Sequence, residues 1–302
     1  MAEIKRRGSN HIICRQREGD VEYLTFPAIE KTGVVSHLFS TRTGGVSKAE
    51  FSSMNLSYTR GDQKENVDEN FKRIAAVLRR SCQDIVCSDQ THTTNVRTVI
   101  RADGGKGILI AKDYTDVDGL ITNEPGIVLA TFYADCVPLF FVDPVRGAIG
   151  LSHSGWRGTV GKMGAVTLKR MEEEYGTDPA DVIAAIGPSI CQECYEVSKD
   201  VAEIFTEVFS SKSMEAKCGT HLVKKILLDK GNGKFQLDLW KANELILREA
   251  GIPKEQISVT DICTCCNPDY LFSHRASHGK RGNLGAFLSL LTEEEKRKKQ
   301  QE

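Results

Sequence analysis

The sequence predicts an α/β fold, a single domain in which sheets are covered by helices. Two observations carry this. Strand-like and helix-like segments alternate along the chain, and no repeat, low-complexity linker or shift of composition divides them. The 302 residues, 40% hydrophobic and 27% charged, also have the make-up of a globular chain that buries a substantial core.

In chain order, VEYLTF and HLFST read as strands, because β-branched and aromatic residues run between Gly, Pro and Asp. ENVDENFKRIAAVLRR then carries apolar residues at helical spacing. After the strand VRTVI comes the longest apolar stretch, Gly126 to Val142 (GIVLATFYADCVPLFFV). It contains Asp135 and Pro138 and is shorter than a bilayer demands, so it reads as two buried strands meeting at a break. GAIGLSH and DVIAAIG are strands on either side of the helical TVGKMGAVTLKRMEEEY. SKDVAEIFTEVFS and DLWKANELILREAG are amphipathic helices, the second stopped at Gly251, and ISVTDI and GAFLSL are the last strands. The charged TEEEKRKKQQE reads as a frayed helix end or disordered tail, which sets the domain at residues 1–292 and the tail at 293–302.

Charge and leader composition exclude several functions. Forty basic against 41 acidic residues leave a net charge of -1, which argues against a general electrostatic grip on nucleic acid or on an anionic membrane. MAEIKRRGSN has no apolar core after its charges, so no secretory signal is expected and the cytoplasm is the default location. Ten cysteines in such a chain are free thiols or metal ligands before they are a disulfide framework. Nothing in the sequence specifies an oligomeric state.

The chemistry gathers around ADCVP and LSHSGWRG. A thiolate and neutral imidazoles are ligands that Zn²⁺ prefers, and three protein ligands with one open position make a catalytic zinc. Cys136 and His153 supply two, and His92 in SDQTHTTNV is the best third candidate; each stands at or near a strand end. The same residues also suit a buried thiol and two structural histidines. Asp135 is either a partner that orients a histidine, a proton carrier, or a carboxylate hydrogen-bonded to a turn. Arg157, at a helix start after His153, could hold an anion beside the metal. Arg42 before Gly44 and Gly45 puts a cation on a tight turn where the backbone can approach a ligand. FSHRASHGKRGN adds Arg275 and Arg281, while its His274 and His278 lack the glutamate of a zinc-protease helix. Trp156, Phe132 and Tyr133 could wall a binding pocket or simply be core.

Taken together, HLFSTRTGGVS with MNL, GDQKENVDEN, DQTH, TDVDGLIT, ADCVPLFFVD, GLSHSGWRGT, AIGPSI with CYEV, FQLDLWKAN, and DICT with LFSHR resemble successive blocks of the laccase-domain family. Its members were long described as multicopper polyphenol oxidases and are now understood as zinc-dependent purine nucleoside phosphorylases. The resemblance runs from about His37 to about Leu291. It implies a layered α-β sandwich with mixed sheets, similar to bacterial deamidase toxins, and a Zn²⁺ site of His92, Cys136 and His153. The implied reaction is phosphorolysis of adenosine, inosine, guanosine and S-methyl-5'-thioadenosine to base and ribose 1-phosphate, with adenosine deamination beside it. A mechanism for such a reaction gives catalytic roles to Cys136, His153 and Asp135, and makes Arg42, with Asn55, Arg157 and Arg275, contacts to substrate or phosphate. Two departures are Thr93, where the family often has glycine, and the extra cysteines of CTCC.

The older oxidase description can be tested on the residues. A multicopper cluster needs many imidazoles, usually as His-x-His pairs, and this chain has 7 histidines and no such pair. Copper could still occupy the three-ligand site. Two rival readings stay open: a cysteine hydrolase or deamidase using Cys136 as nucleophile and His153 as base, and a non-catalytic protein in which CQEC (Cys191, Cys194) and CTCC (Cys263, Cys265, Cys266) close a structural thiolate site.

Overall fold

The structure, a computed structural model, describes residues 3–8 and 12–299. Residues 1, 2, 9–11 and 300–302, among them parts of MAEIKRRGSN and of the charged tail, lie outside the described residues. The N-terminal third holds β1 (Cys14–Glu18), β2 (Val21–Thr25), α1 (Pro27–Glu30), β3 (Val35–Ser40), α2 (Lys64–Val77), β4 (Ile85–Cys87) and β5 (Val96–Thr98). Next come β6 (Gly119–Thr122), β7 (Val128–Tyr133), β8 (Val137–Asp143), β9 (Ala148–Ser154), α3 (Trp156–Val160), α4 (Met163–Tyr175) and β10 (Ile183–Ile186). Then β11 (Glu196–Ser198), α5 (Lys199–Phe209), α6 (Lys212–Cys218), α7 (Leu222–Ile226), β12 (Leu227–Asp229) and β13 (Lys234–Leu237) follow. Last are α8 (Leu239–Glu249), β14 (Ile257–Val259), β15 (Leu284–Leu290) and α9 (Glu293–Lys299).

Two six-stranded mixed sheets dominate, ordered β1-β2-β3-β15-β7-β4 and β14-β10-β8-β9-β6-β5. The first is antiparallel except at β4–β7; the second is parallel at its two edges and antiparallel between them. A three-stranded antiparallel sheet, β11-β13-β12, stands beside them.

Period-two alternation explains the layering. Along β8, Phe140 and Val142 point into a core shared with Leu24, Phe39, Leu129 and Leu288 of the first sheet. Val137, Leu139 and Phe141 point the other way, into a core with Leu168 and Met171 of α4 and Leu245 of α8. On the far side of the first sheet, Leu38, Val128 and Phe287 pack under Val67, Phe71 and Ile74 of α2. The result is helix, sheet, sheet, helix. Strands buried on both faces are apolar at every position, which is why the Gly126–Val142 run looks continuous.

That run does break where its polar residue stands. β7 belongs to the first sheet and β8 to the second, and Ala134–Cys136 carries the chain between them. The stretch read as one helix around Lys162 is two, α3 and α4, because Lys162 takes a left-handed φ of 56°. Any side chain at the neighbouring Gly161 would meet Thr94 at 2.7 Å. Gly44 also acts differently from a ligand-approach glycine: at φ +92° its missing Cβ makes room for the Asp20 carbonyl, 2.2 Å from where that atom would be.

α9 is anchored. Thr292 and Glu295 form a capping box, in which the Glu295 carboxylate accepts from Thr292 N at 2.8 Å. The same carboxylate takes both ends of the Arg80 guanidinium, one of them at 2.6 Å, and this pairing holds its pKa down to about 2. A carboxyl depressed below the ordinary value of about 4.3 contributes stability that is present above that pH and lost on acidification toward its folded pKa. Glu295→Gln should therefore cost about 1 kcal/mol at pH 7, with the gap to wild type narrowing below pH about 4. Urea midpoints at several pH values check this, and a gap that widens on acidification refutes it.

Candidate metal centre and its cleft

Strand register brings the candidate ligands together. His153 stands near the end of β9, opposite Pro138 of β8, two positions beyond Cys136. β9 also pairs with β6, and the His153 amide donates to the carbonyl of Asp118, just ahead of β6, at 2.8 Å. His92 lies on the loop between β4 and β5, in a left-handed conformation with φ 69°.

The ligand atoms of His92, Cys136 and His153 all lie within 4.8 Å of one another. Cys136 Sγ is 3.9 Å from His92 Nε2, and the two imidazoles meet edge to face with centroids 5.0 Å apart. Behind them sits the fully buried Asp118. Its Oδ2 accepts from His153 Nδ1 at 2.7 Å, and its Oδ1 accepts from the Thr91 and Thr93 amides, each at 3.0 Å. The His92 amide donates to the same carboxylate at 3.2 Å. With its Nδ1 proton so held, His153 turns Nε2 to the other ligands. Tyr133 packs on the His153 ring at 5.5 Å and donates its hydroxyl to the Ser152 carbonyl at 3.0 Å. Gly155 leaves the needed room: a Cβ there would stand 3.0 Å from His92 and 3.1 Å from Cys136 Sγ.

The electrostatics follow from this packing. Burial disfavours a Cys136 thiolate, but the field and hydrogen bonds of His153 and His92 outweigh it and bring the thiol down to about 6. Burial likewise opposes a charged His153, while Cys136 and Asp118 push it up to about 9. Burial alone would raise Asp118, yet His153 and the two amides hold it below the ordinary carboxylate value. Two imidazoles, one ready thiolate and a carboxylate behind a histidine are the donor set of a three-ligand zinc centre, so the residues fit that group.

The triad opens on a cleft of about 340 Å³, also lined by Tyr58, Arg60, Gln90, Phe132 and Arg281. Arg281 is only 8% exposed. It donates to the Gly282 carbonyl at 3.3 Å and to Asn283 Oδ1, while its Nε is without a partner and no ion pair reaches it among the described residues. Burial and the like charge of Arg60 push it down to about 10. Neither guanidinium has a salt-bridge partner among the described residues, and Asp135 and Cys136 offset the Arg281 charge only in part, so this end of the cleft suits an anion.

The other candidate residues are placed elsewhere. Asp135, at φ 87°, accepts from Thr264 Oγ1 at 2.6 Å and from the Arg275 amide at 2.7 Å, and touches neither histidine. Arg42 donates to the Ser52 and Pro268 carbonyls at 2.8 and 2.6 Å and stacks over Phe272, outside the cleft lining. Asn55 is a buried latch, its Oδ1 accepting from Ser57 N and Asn283 N, both at 3.0 Å, behind the cleft wall. Arg157 is exposed and stacks on Trp156, and neither residue lines the cleft. Arg275 clamps the Cys194 and Glu196 carbonyls. Phe132 and Tyr133 do line the cleft. His274 and His278 join no ligand cluster among the described residues. Sequence reasoning missed Asp118 and Arg60. The signal for Asp118 was an acid immediately ahead of the strand GLIT; Arg60 left none.

Residues 36–291 match the family described as multi-copper polyphenol oxidoreductase laccase. The chain is 37% identical to purine nucleoside phosphorylase YlmD of Bacillus subtilis (strain 168) over 256 residues, 83% of this chain and 87% of that protein. It is 34% identical to a purine nucleoside phosphorylase of Bacteroides thetaiotaomicron over 271 residues, 88% of this chain and 95% of that one. The crystal structure of YlmD from Geobacillus stearothermophilus superposes with a TM-score of 0.81 at 32% identity, covering 92% of this chain and 99% of that one. The hypothetical protein YfiH of Bacillus licheniformis does so with a TM-score of 0.82 over the same shares. With its blocks in order and its fold shared across nearly the whole length, the chain belongs to the laccase-domain family.

Proposed function

We propose that the chain is a zinc-dependent purine nucleoside phosphorylase of the cytoplasm, converting adenosine, inosine, guanosine or S-methyl-5'-thioadenosine with phosphate to the free base and a ribose 1-phosphate, and deaminating adenosine in the same cleft. The observation that carries this is one cleft holding both the His92, Cys136, His153 cluster and Arg60 and Arg281, which have no salt-bridge partner among the described residues. Relatives named purine nucleoside phosphorylase support the reaction class.

His92, Cys136 and His153 would hold the zinc, which when bound supplies a Lewis acid toward a substrate oxygen or nitrogen. Asp118 keeps the proton on His153 Nδ1 and fixes the ring against the cleft. Arg281 and Arg60 bind the phosphate nucleophile and orient it under the ribose, where the glycosidic bond lengthens toward an oxocarbenium-like state. The faces of Phe132 and Tyr58 offer stacking to the purine. In this reading Asn55 backs the cleft wall through Ser57 and Asn283, Arg42 braces structure outside it, and the phosphate is left to the two lining arginines.

The order Asp118, His153, Cys136 is also that of orienter, base and nucleophile, so a cysteine hydrolase or deamidase is the second reading. One experiment separates them. Purified, metal-analysed protein is incubated with inosine and adenosine, with and without phosphate, before and after chelation. Hypoxanthine that forms only with phosphate and stops on chelation is expected; activity that survives chelation but not thiol alkylation favours the hydrolase, and unchanged nucleosides in every tube refute the phosphorylase. Asp118→Asn should lower metal affinity or kcat/KM by roughly 10- to 100-fold with an unchanged circular dichroism spectrum, and wild-type values would remove Asp118 from the centre. Arg281→Met should raise the KM for phosphate about tenfold or more, with a smaller change for the nucleoside; equal effects on both substrates would count against a phosphate role.

A further inference from the structure

A second cysteine cluster lies outside the cleft. β10 and β14 run parallel as edge neighbours of the second sheet, so the segments that follow them leave from the same end and stay paired by a bridge between Ser189 and Cys263. The first segment turns at Gln192–Cys194, in CQEC, and the second is CTCC. Cys191 and Cys194 face Cys263 and Cys266, and the four sulfurs all lie within 4.8 Å of one another. Each pair has the C-x-x-C spacing of a zinc knuckle; Cys265, the fifth thiol, is not part of the group.

We propose that Cys191, Cys194, Cys263 and Cys266 form a closed, structural Zn²⁺ site. Zn–S bonds of about 2.3 Å in a tetrahedron put sulfurs ~3.8 Å apart. The observed spacing brackets that value, with Cys194 and Cys266 at 3.4 Å and every pair inside 4.8 Å. Donors suited to thiolates are already in place: the Cys191 amide reaches Cys263 Sγ at 3.2 Å and Arg7 Nη2 reaches Cys266 Sγ at 3.2 Å. Four sulfur ligands and no open position make the site soft and closed, as a structural zinc requires, and each thiol releases its proton to solvent as the metal binds.

The site would steady the other centre from behind. Thr264, between two of the ligands, donates to Asp135, and Arg275 joins the Cys194 carbonyl to the same carboxylate through its side chain and amide. Asp135 immediately precedes Cys136, so the zinc knuckles set where the thiol of the cleft emerges.

The test removes the cleft's own thiol. Full-length Cys136→Ser protein, expressed with zinc, should retain about one zinc per chain by mass spectrometry of the metal. Loaded with Co²⁺ instead, it should show thiolate-to-cobalt charge-transfer absorption and tetrahedral bands, which can no longer come from the cleft. Cys136→Ser combined with Cys194→Ser should lose that absorption. Cys136→Ser protein that is folded by circular dichroism, gives no thiolate-to-cobalt absorption, and has these cysteines open to alkylation or joined as disulfides by intact mass overturns the proposal, whether or not the double variant folds.

Discussion

The buried carboxylate of Asp118 is the constraint on which the centre depends. A charge taken out of water is tolerated when its lone pairs are filled, and here amides of the His92 turn and the ring of His153 fill them. One group thereby joins a loop after β4 to a strand of the second sheet. Thr91, Thr93 and Asn95 also bond Asp116, but among these contacts only the Asp118 carboxylate reaches both the His92 turn and the ring of His153.

The sheet crossover at Ala134–Cys136 is the second support. Because β7 and β8 lie in different sheets, the chain must leave one layer and enter the other within three residues, and Asp135 takes up a left-handed φ there. Its carboxylate is saturated by Thr264 and Arg275, so the residue beside Cys136 is a brace. Its place in the sequence suggested a proton carrier; its hydrogen bonds describe the alternative also considered, a carboxylate bonded to structure.

Charge is distributed to the same end. The chain is nearly neutral overall, yet the cleft is lined by a buried Arg281 and an exposed Arg60, neither of which has a salt-bridge partner among the described residues. Net charge argues against a broad polyanion surface, while under the proposed function a small anion would be held by the buried Arg281 and the exposed Arg60. Arg42, Arg157 and Arg275 spend their side chains on carbonyls or an aromatic ring.

What the sequence by itself determined is the α/β character, the longer strands and helices, and the donor types of His92, Cys136 and His153, whose ligand atoms the fold gathers. Periodicity and donor chemistry are local properties, legible wherever a segment is long enough to show them. β4, β6 and β12 escaped, while the equally short β5, β10 and β14 were legible inside the longer apolar runs VRTVI, DVIAAIG and ISVTDI. Only the tertiary structure decided that Asp118 backs His153, that Arg60 and Arg281 share the cleft with the triad, and that Cys191 and Cys194 meet Cys263 and Cys266. These meetings depend on strand register and on which sheet each strand joins. A one-residue slip would turn every side chain of a strand to its other face, and no local pattern records that choice.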